Sequence, residues 1–302
     1  MTGAGSAFAP ALQPPRRKPH GNYMRIAIRH QLSVTPPPGT GQAVLHLLLT
    51  PSSGPTQTVE HWAIDSDGID TAGTFTDAYG NAVHLVNQTR PEGDITVTVS
   101  GSIITKDTHG VLGRPGGEPV PALYTRITPL TRAPITLYGK FRNSKESRLN
   151  VLHALMARVG ETLGLPEEAT EQPATQMQAN GAQSQSQSQS SDQPADEPVL
   201  PPASDYAHSF IAGARALDIP ARYVTGYLVD AEGTSAFHAW AEAYDDRLGW
   251  IGFDACLQLC PTDRHVRLAV GLDALSAQPL RAAPAGEGVR TVHVEVAGAS
   301  GQ

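Results

Sequence analysis

From Met24 onward, apolar and polar residues alternate strictly. Met24, Ile26, Ile28, Leu32 and Val34 point one way, and Arg25, Arg29, Gln31 and Ser33 point the other. Period two over that length predicts a strand with one buried face. Val44–Leu49, Thr58–Ile64 and Ile95–Ile103 carry the same signature. Turn sequences separate them, among them Pro36-Pro37-Pro38-Gly39, Ser53-Gly54-Pro55 and Tyr79-Gly80-Asn81. Strands spaced this closely, with no helical run between them, predict an antiparallel β-sandwich over about residues 24–110, within an N-terminal region assigned to 24–140.

The period then lengthens. Leu149, Leu152, Leu155, Met156, Val159 and Leu163 recur at helical spacing, with Ser144 as the expected N-cap and Gly164 and Pro166 as stops, so residues 141–165 should hold a helix. Residues 166–203 lose all periodicity, and a Gln-Ser alternation fills 183–191. Such a tract buries too little apolar surface to offset its ordering entropy, so an inserted disordered linker is expected there. Residues 1–22 read as a disordered extension, with Met1 or Met24 as the start. Helical spacing returns at Tyr206, Phe210, Ile211, Ala214 and Leu217 and stops at Asp218-Ile219-Pro220. Strand-like runs follow at Ala221–Val229, Ala236–Tyr244, Gly249–Asp254, Val266–Val270 and Val289–Val296. Residues 204–298 therefore read as a helix followed by an antiparallel sheet, and the whole chain as α+β.

Composition narrows the function. The chain of 302 residues carries 22 Lys and Arg against 29 Asp and Glu, a net charge of −7, which argues against a nucleic-acid partner. It contains no apolar run long enough to cross a membrane. Arg16 and Arg17 follow the weakly apolar N-terminal stretch where a secretory signal would place its charges first. Cys256 and Cys260 are the two cysteines, too few for a disulfide framework or a four-thiolate zinc site, so a cytoplasmic location is expected. The histidines form no His-x₃-His or His-Glu-x-x-His pair, and no Cys-x-x-Cys occurs, so neither a metal nor a cofactor is expected.

The candidate chemistry lies in the second half. Asp205-Tyr206-Ala207-His208 opens the helix, Ile219-Pro220-Ala221-Arg222-Tyr223-Val224-Thr225-Gly226-Tyr227 follows it, and then come Phe237-His238-Ala239-Trp240-Ala241-Glu242 and Gly249-Trp250-Ile251-Gly252-Phe253-Asp254. This series, with Asp263-Arg264-His265-Val266-Arg267-Leu268-Ala269-Val270-Gly271 after it and Asp77-Ala78-Tyr79-Gly80-Asn81 before it, resembles the bacterial transglutaminase-like proteins, a branch of the papain-like thiol enzymes. The resemblance covers about residues 24–296 apart from the linker. It implies a thiolate at a helix N-terminus, where the dipole lowers its pKa, a histidine on a neighbouring strand and an acidic residue that orients the imidazole.

His238 and Asp254 match the family's histidine and aspartate, and alternation places His238 on one face with Trp240 and Glu242. Where the family carries its cysteine, this chain reads Pro201-Pro202-Ala203-Ser204, so the nucleophile position falls on Ala203. A methyl group neither ionises nor holds an acyl intermediate. The expectation is a catalytically inactive relative that binds a protein or peptide, with Trp240, Tyr206 and Asp205 as candidate binding residues. The alternative is an amide hydrolase or acyl transferase whose nucleophile has moved to Ser204 or to Cys256, which would share Asp254's face on an extended strand. His208 and Trp250 are expected to serve packing.

Overall fold

The computed structural model describes residues 23–164, 201–229 and 235–300. The disorder expected for residues 1–22 and for most of 166–203 falls outside the described residues. Thirteen strands among the described residues form three antiparallel sheets. The first sheet orders β13 (Val289–Ser300), β1 (Tyr23–Val34), β6 (Ile95–Lys106) and β3 (Gln57–Asp65). The second orders β12 (Leu280–Ala283), β2 (Gln42–Thr50), β5 (Ala82–Thr89) and β4 (Gly73–Thr76). The third orders β11 (His265–Gly271), β8 (Ala221–Val229), β9 (Ser235–Asp245), β10 (Gly249–Phe253) and β7 (Val111–Gly113).

The alternation read from Met24 does form the inner face of a sandwich. Ile26, Ile28, Leu32 and Val34 of β1 meet Leu45, Leu47 and Leu49 of β2 in one buried cluster. Truncating any of these leucines to alanine should cost about 2–5 kcal/mol, because the cavity left by the side chain collapses only in part. The same cluster takes in Tyr227, Val229, Val266 and Leu268 from β8 and β11, so sandwich and third sheet share a continuous core.

Two assignments made from the sequence need correction. The run Val289–Val296 does not extend the third sheet but pairs along β1, and β12 pairs with β2, so the C-terminal strands complete the sandwich. Conversely, β7 leaves the N-terminal region to pair with β10. Period two fixes which face of a strand is buried but says nothing of which sheet it joins.

Helix α1 (Ile135–Tyr138) is a single turn. Helix α2 (Arg148–Leu163) is capped by Ser147, whose Oγ accepts from the amide of Asn150 at 3.2 Å, while Ser144 instead closes a turn onto Glu146. Helix α3 (Ala203–Ala216) begins at Ala203, inside the tract expected to be disordered. It packs Tyr206, Phe210, Ile211 and Ala214 onto Ala239, Ala241 and Ala243 of β9, whose small side chains let the helix come close. Gly213 does the same for α2, since a Cβ there would stand 2.7 Å from Leu155 Cδ1.

Candidate functional site

Asp254 is the centre of the site. Its carboxylate is fully buried and accepts four hydrogen bonds. Oδ2 takes the ring nitrogens Nε2 of His238 at 2.6 Å and of His265 at 3.2 Å. Oδ1 takes the backbone amides of Cys256 and Leu257, each at 3.1 Å. Burial opposes ionisation, but the hydrogen bonds of the two histidines, and their charges once acid protonates the rings, hold the carboxyl well below the usual carboxylate range.

Each donor reaches this point for a local reason. β10 ends at Phe253, and Asp254 then opens a turn that closes through mutual hydrogen bonds with Leu259. Gln258, at φ 55°, completes the turn and ties it to α2 by donating from Nε2 to Met156 O. His238 lies opposite Gly226 across the β8–β9 ladder. A Cβ on Gly226 would stand 2.7 Å from the Trp240 ring and 2.0 Å from Val266 O, so only glycine leaves room for the indole to cross β8. Trp240 fills that gap, with its ring 6.3 Å from His238 and 5.4 Å from His265.

The protons in this cluster can be assigned. The Thr262 amide donates to His265 Nδ1 at 3.1 Å, so Nδ1 carries the lone pair and the ring proton sits on Nε2, facing Asp254. Burial lowers the pKa of His265, which keeps it neutral in this role. His238 likewise donates from Nε2 to the ionised carboxylate, leaving Nδ1 as the ring atom not engaged by Asp254. That is the arrangement an imidazole needs to act as a base toward a neighbouring group.

His238, Asp254 and His265 also place one ligand atom each within 4.8 Å of the others, a geometry that invites comparison with a metal centre. The donor set does not fit one. A metal-ligating histidine donates its second ring N–H to an acceptor, whereas the second nitrogen of His265 faces the Thr262 amide, itself a donor. Metal at Nε2 would set two N–H groups against each other.

The other candidate residues are placed as follows. Ala203 is the first residue of α3, after Pro202, and no side chain caps the helix. Ser204 is half-buried, with its hydroxyl 3.5 Å from Asp205 Oδ1, and Asp205 is exposed. Tyr206 is fully buried and donates to Gly164 O at 2.7 Å. Trp240 is 3 % exposed, so Tyr206 and Trp240 both serve as core walls. Trp250 is likewise buried, beneath the Arg222 guanidinium at 4.0 Å. His208 stacks on Tyr223 at 4.9 Å and accepts from the Ala274 amide.

Cys256 does not share Asp254's face as an extended strand would require. It lies in the turn and packs against the helical core. Burial first, then the Asp254 charge, pushes its thiol up to about 11. Cys260 is raised as well, by burial and then by Asp107.

His265 falls within the 263–271 motif, and nothing in the sequence marks it as a site residue. Lying 11 residues beyond Asp254 and on a strand two removed from β9, it has no spacing that announces a contact with His238. Beside the cluster lies a buried ionic network. Arg222, directly opposite Glu242 in the ladder, donates to it at 2.6 Å and to Glu118 at 2.9 Å, and Arg267 donates to Glu242 at 3.1 Å. Burial would raise the Glu242 carboxyl, but the two arginines hold it lowered.

Comparison with known proteins defines the class. Residues 154–255 match the model of the transglutaminase-like superfamily, and residues 26–103 match that of the bacterial transglutaminase-like N-terminal region. The chain is a bacterial transglutaminase-like protein, with the core domain of that superfamily joined to its N-terminal region. Among individual proteins, it is 32 % identical over 101 residues to the uncharacterized protein ML0607 of Mycobacterium leprae. That match takes in 30 % of this chain and 35 % of the relative, so it spans about a third of the relative's length. The crystal structure of a candidate cysteine protease from Cytophaga hutchinsonii superposes with a TM-score of 0.57 over 93 % of this chain and 91 % of that one. At 18 % identity, that likeness establishes the fold.

Proposed function

We propose that this protein is a catalytically silent member of its family, which keeps the fold and the imidazole–carboxylate pair and uses them to bind a polypeptide. The observation that carries the reading is Ala203. The family resemblance puts the nucleophilic thiol at this residue, the first of α3, and the side chain here is a methyl group. Neither cysteine offers a substitute, since an activated thiol needs a lowered pKa and both are raised. Ser204 has no imidazole partner among the described residues and lies beside the exposed Asp205. The His238–Asp254 pair is retained because removing one partner would strand a buried polar group, at a cost of about 1–3 kcal/mol. Two free thiols suit a reducing compartment, so the location proposed is the cytoplasm.

The test is turnover. Purified protein should leave glutamine-amide and peptide-amide substrates untouched, with or without iodoacetamide. Turnover at rates ordinary for thiol enzymes, abolished by iodoacetamide, would return the function to catalysis by a relocated cysteine.

A further inference from the structure

Segments far apart in sequence meet at an open groove of about 390 Å³ between residues 126–129, the turn at 272–276 and Arg281 of β12. A single buried arginine fastens its walls. Arg215, 3 % exposed, reaches out from α3 and donates to Tyr124 O and Thr131 Oγ1 on one side, each at 2.9 Å. On the other side it donates to Leu272 O at 2.8 Å. Asp273 accepts from the amide and hydroxyl of Ser276, which rigidifies the turn. The groove is therefore shaped before any ligand arrives, which lowers the ordering cost of binding.

Its exposed lining is apolar and cationic, and the one carboxylate that borders it, Asp273, is 6 % exposed and held by Ser276. Ile127 is 55 % and Leu275 61 % exposed. Arg126 and Arg281 also line it, and neither has a carboxylate within 4.0 Å among the described residues. Arg281 rests instead on the His46 ring, and its charge, after burial, lowers the pKa of that histidine. Residues 114–148 hold seven Lys and Arg against two Glu, in a chain whose net charge is −7. Of these seven, Arg126 lines the groove.

We infer that the groove docks a polypeptide segment in which carboxylate and apolar side chains alternate. A purely acidic ligand would leave Ile127 and Leu275 in water, and a purely apolar one would desolvate two guanidiniums without compensation. Arginine's planar fork suits bidentate pairing with carboxylates. The inference names the partner class for the polypeptide-binding reading above and rests on it.

The experiment titrates full-length protein with three fluorescein-labelled peptides of equal length, built on Leu-Glu, Leu-Lys and Ser-Glu repeats, and reads anisotropy at low and high salt. The Leu-Glu peptide should bind at least tenfold more tightly than either other. The Arg126→Ala/Arg281→Ala double variant should lose at least tenfold, with an unchanged thermal midpoint because both side chains are exposed. Equal binding of all three peptides overturns the proposal. So does Leu-Glu binding that the double variant leaves unaltered, which refutes the groove while sparing the polypeptide-binding reading. Self-association that Leu275→Ser abolishes would make a second copy the occupant and overturn it as well. Thiol-dependent turnover, measured separately, refutes the broader reading alone.

Discussion

Alkylation of Cys256 should be slow, and its rate can be worked out from the structure. Burial and the Asp254 charge place this thiol at about 11. At pH 8 it is then ionised in about one molecule in a thousand, against about one in four for an ordinary thiol near 8.5. The rarer thiolate is intrinsically more nucleophilic, by about ten- to twentyfold for a difference of this size. The net expectation is a rate about 10- to 25-fold below that of a free thiol, lowered further by packing against the helical core. Iodoacetamide labelling of native and urea-unfolded protein, with fragment ions separating Cys256 from Cys260, measures the ratio directly. The unfolded chain should label at the ordinary rate. If native Cys256 labels as fast as a free thiol, with a midpoint at or below pH 8.5, the reasoning is refuted and Cys256 returns as a nucleophile.

Two stability predictions follow from other buried groups. His30 is fully buried between β1, β8 and β9, and burial, then the His293 charge, lowers its pKa to about 4. The unfolded chain then binds the extra proton first, so stability is full above about pH 6.5 and falls by about 3 kcal/mol as pH drops to 4. Urea midpoints for native protein and His30→Gln should show the variant losing less over that window, and parallel slopes would refute the assignment. Glu242→Gln removes the carboxylate facing the fully buried Arg222, so unfolding free energy in urea should drop by about 3–5 kcal/mol. Glu118→Gln, at a residue 21 % exposed, should cost clearly less, and equal costs would refute a desolvated pair as the cause.

Much of this was legible in the sequence, for physical reasons. The alternation from Met24 and the helical spacing through Leu163 follow directly from which face is buried. β4 and β5 were missed: β4 is four exposed residues, so it carries no buried alternation to read. The return of β13 to β1 was missed because pairing partners are set by tertiary packing. Of the site, the family motif led to His238 and Asp254. The part of His265 was hidden because the chain between Asp254 and β11 crosses the end of the sheet past β9 and β8. Cys256 was misplaced because a turn begins where an extended strand was assumed. The groove at Arg126 and Arg281 has no sequence signature, since Arg215 joins residues 124–131 to Leu272, which lie far apart in the chain.

The account turns on the head of α3, and restoring a sulfur there tests it most directly. Native protein and Ala203→Cys would each be incubated with a peptide fluoromethyl ketone, and the adducts read by intact mass and site mapping. The account predicts no adduct on the native chain and a single adduct at residue 203 of the variant, formed more slowly when His238→Gln is added. A native chain that labels readily, or a folded variant that stays inert, would contradict it.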